Sequence, residues 1–253
     1  MKTILITNDD GIHSPGIKAL QSALANIGRT VVIAPDRDNS AVSHSLTMNR
    51  PLKVHKLAED IFSVDGTPTD CVAVGLKKIL HQPPDILISG INGGANLGDD
   101  ISYSGTVSAA IEGTMYSIPS MALSVGGEIP YDFRAAEQIA QCMALKIMKN
   151  HLPDNTLLNI NVPSGKTYGK IRVTCQGRRL WENAIQETLD PKGIKHYWIG
   201  GGTPVADPRE NTDVHAFACG HVSITPIQLD LTNHAGIAYL KENWLLEDGT
   251  ETR

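Results

Sequence analysis

Cysteine, clustered basic charge, long apolar runs and familiar nucleotide-loop motifs are all missing or scarce in this sequence. Each absence excludes something. Only four cysteines occur among 253 residues: Cys71, Cys142, Cys175 and Cys219. None belongs to a C-x-x-C pair, so neither a zinc site nor a disulfide framework is expected. They read as reduced core residues of an intracellular protein. No apolar run approaches the length of a membrane span. The opening run from Met1 to Ile6 turns polar at Thr7, too soon for a signal peptide. A cytoplasmic protein with no membrane partner is expected. Net charge is −5, and the largest basic cluster is Arg178-Arg179. That argues against a nucleic-acid polymer as partner, although a small nucleotide needs only a local phosphate site. Neither G-x-G-x-x-G nor a Walker A motif is present, which argues against NAD and ATP.

What is present suits a packed α/β protein. Hydrophobic residues make up 41% of the chain, enough for a sizeable core. Thr3 to Thr7 reads as a buried strand. Ser14-Pro15 offers an N-cap and a first-turn proline, and Ile17, Leu20, Leu24 and Ile27 form one helical stripe ended by Gly28. Thr30 to Ala34 is a second strand, so the chain opens β-α-β. Leu52 to Leu57 and Ile61 to Val64 read as a hairpin or edge strands. Thr67-Pro68 begins a helix to about Leu80. Further strands fall at Asp85–Ser89, Ser120–Val125 and Leu157–Val162, with helices at Thr106–Tyr116 and Ala135–Lys149.

After Pro163 the pattern changes. Ile171–Val173, Tyr197–Ile199 and Val222–Ile224 read as strands without regular helices between them. Gly200 to Asn211 reads as a loop, and a last helix spans about Ala235 to Leu246. The expected architecture is a Rossmann-like three-layer core with a mostly parallel sheet over residues 1–163. A smaller β-rich extension with a terminal helical arm covers 164–253, and the two can equally count as one unit.

Polar clusters follow three predicted strands: Asn8-Asp9-Asp10-Gly11, Pro35-Asp36-Arg37 with Ser40, and Ser89-Gly90-Ile91-Asn92. In an open parallel sheet these loops share the ligand-binding edge. Adjacent Asp9 and Asp10 repel each other unless a hard cation lies beside them, but an acidic pair also caps helices. The small-residue loop from Asn92 to Gly105 runs into a helix, where Ser104, Gly105 and Thr106 can hold an anion. An ordinary N-cap is the plainer alternative. A cation site beside an anion site points to phosphoryl chemistry. His13 and His44 lie near the cleft without an assigned role, and His221 and His234 read as structural. Trp181, Trp198 and Trp244 read as packing residues rather than base-stacking ones.

At these residues the sequence resembles the SurE family, the survival-protein E 5′-nucleotidases. The blocks that carry it are Thr7-Asn8-Asp9-Asp10-Gly11, Ala34-Pro35-Asp36-Arg37, Gly66-Thr67-Pro68-Thr69-Asp70-Cys71 and Asn96-Leu97-Gly98-Asp99-Asp100. Tyr103-Ser104-Gly105-Thr106-Val107, Leu158-Asn159-Ile160-Asn161-Val162-Pro163 and Gly220-His221-Val222-Ser223-Ile224-Thr225-Pro226 continue it. The resemblance implies one divalent cation, Mg²⁺ or Mn²⁺, held by Asp9, Asp10, Ser40 and Asn92. It implies phosphate contacts from Asn96, Ser104, Gly105 and Thr106, with Asp9 and Asp10 as the catalytic pair. The implied reaction is hydrolysis of nucleoside 5′- and 3′-monophosphates, with polyphosphate as a further substrate. It also implies a homodimer or homotetramer built by exchange of C-terminal elements. Ala95 departs from the proline usual there, which loosens the loop without removing a ligand.

Two other classes compete. A signalling receiver domain also carries an acidic pair after its first strand, but needs an aspartate where this chain has Ser89-Gly90-Ile91-Asn92. A non-catalytic nucleotide-binding module differs from an enzyme only in turnover.

Overall fold

A computed structural model describes residues 1–244, apart from Leu180, Asn183, Gly201 and Ala206. The first strand, β1 (Thr3–Thr7), is followed by α1 (Pro15–Leu24) and β2 (Arg29–Pro35). Ser14 caps α1 by accepting a hydrogen bond from the Ile17 N–H, with Pro15 in the first turn. The helix stops at Leu24, short of the expected Gly28. Then come β3 (Val54–Ala58) and β4 (Ile61–Val64), which pair antiparallel as a hairpin. Helix α2 (Pro68–Val74) carries a capping box between Thr67 and Asp70, and runs on as a π-helical turn over Gly75–Ile79.

Strand β5 (Ile86–Gly93) leads through a 3₁₀ turn (Gly98–Ser102) to α3 (Gly105–Met115). Strand β6 (Ser120–Gly126), α4 (Arg134–Asn150) and β7 (Thr156–Pro163) complete the alternating portion. The remainder comprises β8 (Ile171–Val173), β9 (Trp181–Glu182), β10 (Ile185–Leu189), β11 (Lys195–Ile199) and β12 (Thr203–Pro204). It ends with α5 (Asp213–Ala218), β13 (Val222–Gln228) and α6 (His234–Asn243).

Nine strands form one sheet in the order β3-β4-β2-β1-β5-β6-β7-β13-β8. The strands from β4 to β7 are parallel, while β3 and β13 each run against a neighbour. Two strands from beyond Pro163, β8 and β13, therefore extend the main sheet. Side chains alternate across it as strand geometry requires. Ile4 and Ile6 pack with Ile17, Leu20 and Leu24 of α1 and Ile139 of α4. Leu5, Val31 and Ile33 pack on the other face with Val72 of α2 and Val107 and Ala110 of α3. The result is the three-layer α/β architecture.

Beyond the sheet, β10 pairs with β11 and β9 with β12. The β10–β11 hairpin is exposed along its whole length, and α6 has no buried residue. The expected last turn of α6 at Leu246 lies outside the described residues. Three expectations need correction. Helix α5, capped by Thr212, interrupts a region expected to lack helices. Of the four cysteines only Cys71 is buried; Cys142, Cys175 and Cys219 are exposed. The three tryptophans are exposed on this chain, not packed inside it. Among the described residues no helix is long and apolar enough to cross a membrane.

Candidate active site

The sheet order reverses direction at β1. The chain steps outward from β1 to β2 and β4, then returns to place β5 on the other side of β1. Loops after β1 and β5 diverge here, and such switch points at the carboxyl ends of strands bind ligands. The β1 loop is fixed by Asn8, whose Nδ2 donates to the Gly11 carbonyl at 3.0 Å and to Ser14 Oγ at 2.8 Å.

Asp9 and Asp10 follow Asn8 into a cleft of about 260 Å³, also lined by Ser40, Asn92, Asn96 and Ser104. Asp9 is 5% exposed. Its carboxylate accepts the Thr106 backbone N–H at 3.0 Å and the Thr106 hydroxyl. Burial pushes the Asp9 carboxyl up to about 6; the Thr106 hydroxyl opposes that rise and the Asp10 charge adds to it. Asp10 is also raised, first by burial, with the Asp38 charge adding and the Gly93 N–H, 3.1 Å from its Oδ2, opposing.

The other oxygens are arranged by short local bonds. Asn92 donates its Nδ2 to the Gly94 carbonyl at 2.7 Å, which turns its Oδ1 away from that contact. Ser40 donates Oγ to Asp38 Oδ1 at 2.6 Å and keeps its lone pairs. Asp10 Oδ1 has no hydrogen-bond donor among the described residues. Two carboxylates, an amide and a hydroxyl make a hard, all-oxygen donor set, which suits Mg²⁺ or Mn²⁺. A buried carboxylate and a half-buried one beside it, both held above their ordinary range, are the electrostatic condition that a divalent cation relieves. No group of three or more His, Cys, Asp or Glu able to hold a metal occurs among the described residues, so a cation here depends on Ser40 and Asn92.

The predicted anion residues divide. Asn96 and Ser104 line the cleft. Ser104 also caps α3 by accepting the Val107 N–H at 3.1 Å. Thr106 is fully buried, and both of its donors go to Asp9 instead of into the cleft. Gly105 is needed for a reason that sequence reading missed: a Cβ there would lie 2.8 Å from Asp9 Cβ. Its backbone N–H has no partner among the described residues and is the free first-turn donor of α3.

Several supporting residues were not anticipated. Asn161 accepts the Asn96 N–H at 2.7 Å, and Asn159 and Asn161 both donate to the Asn96 carbonyl, at 2.8 and 3.0 Å. Their i, i+2 spacing in β7 was the available signal, because it puts both amides on one face. Asp213 at the start of α5 accepts the Gly98 and Gly177 N–H groups at 2.9 and 2.7 Å. The loop stays tethered despite Ala95: the Gly94 N–H reaches the Val125 carbonyl at 2.8 Å, and Arg179 reaches the Ala95 carbonyl at 3.2 Å. His44 pairs with Glu112 of α3 at 2.8 Å, outside the cleft lining. His221 accepts the Lys170 N–H at 3.2 Å, and exposed His234 pairs with Asp230 at 3.0 Å. Tyr103, Asp100 and Trp181 complete the cleft wall.

Size alone does not select this cleft. A larger groove of about 530 Å³, lined by Thr114, Ser117, His151 and Asp154 among others, lies at the opposite edge of the sheet before β6 and β7. It has one carboxylate and no switch point, so the chemistry favours the smaller cleft.

Comparison with known proteins agrees with this geometry. The family described as Survival protein SurE matches residues 4–183. The chain belongs to the SurE family. It is 49% identical to the 5′-nucleotidase SurE of Syntrophotalea carbinolica over 91% of this chain and 92% of that one. Identity to the 5′-nucleotidase SurE of Geobacter sulfurreducens is 48%, over 95% of this chain and 93% of that one. The crystal structure of the SurE protein from Aquifex aeolicus superimposes with a TM-score of 0.83 at 43% identity, covering 94% of this chain and 99% of that one. The SurE match therefore spans the β1 acidic pair, the β5 loop and the start of α3.

Proposed function

We propose that the protein is a metal-dependent 5′-nucleotidase that hydrolyses nucleoside monophosphates to nucleoside and inorganic phosphate. The observation that carries this reading is the convergence of buried Asp9 with Asp10, Ser40 and Asn92 at the sheet's switch point. The SurE relatives named above are called 5′-nucleotidases. A divalent cation held by those four residues would offset phosphoryl charge and favour a water nucleophile.

The chain's own groups account for the rest. Asn96 and Ser104 hold the phosphoryl oxygens, aided by the Gly105 N–H at the α3 N-terminus. Donors fixed before the reaction cost no reorganisation when charge shifts in the transition state. Asp10 orients the attacking water through Oδ1, the oxygen left free by Gly93. Thr106 acts through Asp9 and fixes its carboxylate. We extend the substrate class to nucleoside 3′-monophosphates and polyphosphate. We also assign the protein to the cytoplasm, and to a dimer or tetramer joined through the exposed β10–β11 hairpin and α6.

The test is turnover. Chelated protein should release no phosphate from a panel of nucleoside 5′- and 3′-monophosphates and polyphosphate, and Mg²⁺ or Mn²⁺ should restore release. Full activity after exhaustive chelation overturns the metal assignment. Binding without turnover in either metal leaves a nucleotide-binding module instead of an enzyme.

A further inference from the structure

The acidic end of the cleft accounts for a phosphate, but the opposite wall is of different chemistry. Trp181 and Tyr103 line the same cleft as Asp9 and Asp10, and they are 42% and 65% exposed. Aromatic rings on the wall of a polar cleft offer flat apolar faces to a bound ligand.

Trp181 is held there by named contacts. Its indole Nε1 donates to Asp100 Oδ1 at 2.9 Å. The other Asp100 oxygen accepts Arg179 Nη1 at 2.8 Å. The Arg179 guanidinium carbon lies 4.6 Å from the Trp181 ring centroid, so the cation covers the indole. The Arg179 backbone N–H is in turn bound by Asp99 at 2.8 Å. Thus Asp99 and Asp100 tie Arg179 and Trp181 to the loop that carries Asn96. A ring oriented by its one polar atom and stacked on a guanidinium loses little freedom when a second flat group arrives.

We propose that Trp181 is a base-stacking residue: its indole, fixed by Asp100 and Arg179, receives the nucleobase of the substrate while the acidic end of the cleft receives the phosphate. This rests on the nucleotidase reading and adds what that reading lacks, a contact for the base. Aromatic stacking tolerates any base and grows with ring area, so the ligand class is a nucleoside monophosphate with purines preferred. Tyr103 flanks the cleft from the 3₁₀-turn side.

The test compares adenosine 5′-monophosphate with ribose 5-phosphate, which carries the same phosphate and no base. Trp181→Ala should raise KM for the nucleotide about tenfold with kcat within twofold, and leave kcat/KM for ribose 5-phosphate unchanged. Trp181→Phe keeps a ring and should recover most of the loss, which shows that the segment still folds. Calorimetric titration of chelated protein with adenosine 5′-monophosphate gives a second readout, in which Trp181→Ala should weaken binding by a similar factor. Equal losses for both substrates, or no loss for either, overturn the proposal. A parent protein that hydrolyses neither substrate defeats the nucleotidase reading, and the titration still decides whether Trp181 holds the base.

Discussion

Thr106 gives Asp9 two hydrogen bonds from one residue, its backbone N–H at 3.0 Å and its side-chain hydroxyl. This contact turns the N-terminus of α3 into a clamp on the buried carboxylate. A hydrogen bond to a charged group contributes about 1.5–3 kcal/mol. Thr106→Val keeps the shape and loses the hydroxyl, so kcat/KM should fall at least roughly tenfold, by the same free energy. Thr106→Ser should stay near the parent. Steady-state kinetics of both variants at saturating metal checks this, and a Val variant equal to the parent would show that the hydroxyl does not steer Asp9.

Stability should depend on pH through Asp9. Burial raises its folded pKa to about 6, above the ordinary value of 3.8. A carboxyl raised on folding destabilises the fold when ionised, so metal-free protein should lose stability as pH rises from about 4 through 6. With a shift of about two units, the loss is at most about 3 kcal/mol. Asp9→Asn should lack this loss and, with chelator at pH 7, melt higher than the parent while being inactive. Thermal melts across pH 4 to 8 measure it. A variant that melts lower than the parent at pH 7 contradicts the burial argument.

Asn161 holds Asn96 by both its N–H and its carbonyl. Asn161→Val leaves the Asn96 N–H without its acceptor, a loss of about 1–3 kcal/mol at most, while Asn159 still serves the carbonyl. The variant should melt lower, and inorganic phosphate should inhibit it less well because Asn96 is released. Competitive inhibition constants for phosphate separate the two effects. Unchanged inhibition in a destabilised variant would limit Asn161 to a structural role.

Among the described residues, Ile237, Leu240 and Trp244 on and beside α6 stay exposed, and α6 buries none of its side chains. Truncation before His234 should therefore lower the assembly mass measured by size exclusion with light scattering. An unchanged mass would place the subunit contact elsewhere.

Much of the fold was legible because its signals are local. Ser14-Pro15 and Thr67-Pro68 announced α1 and α2, and short apolar runs announced the buried strands. The acidic pair was legible for the same reason: Asp9 and Asp10 stand right after β1. What stayed hidden depended on distant contacts. Helix α5 spans six residues, less than two turns, so no periodicity could reveal it. Trp181 looked like a packing residue because its partner, Asp100, is 81 positions away. Thr106 was read from its place at a helix start, which does not show that Asp9 already occupies its donors.

The position of β13 between β7 and β8 sets an order of events during synthesis. Strand β8 has β13 as its only neighbour in the sheet of described residues, yet Val173 leaves the ribosome well before Val222. At 5–20 residues per second, β8 waits several seconds for the strand that will hold it. Asp213, which fixes Gly98 and Gly177, emerges in the same interval. A nascent chain that has reached only Pro163 carries Asp9 and Asn92, but it lacks the indole and the Asp213 brace. The acidic pair is thus translated early and the indole and the Asp213 brace late, so a chain cut short in between has an unfinished cleft.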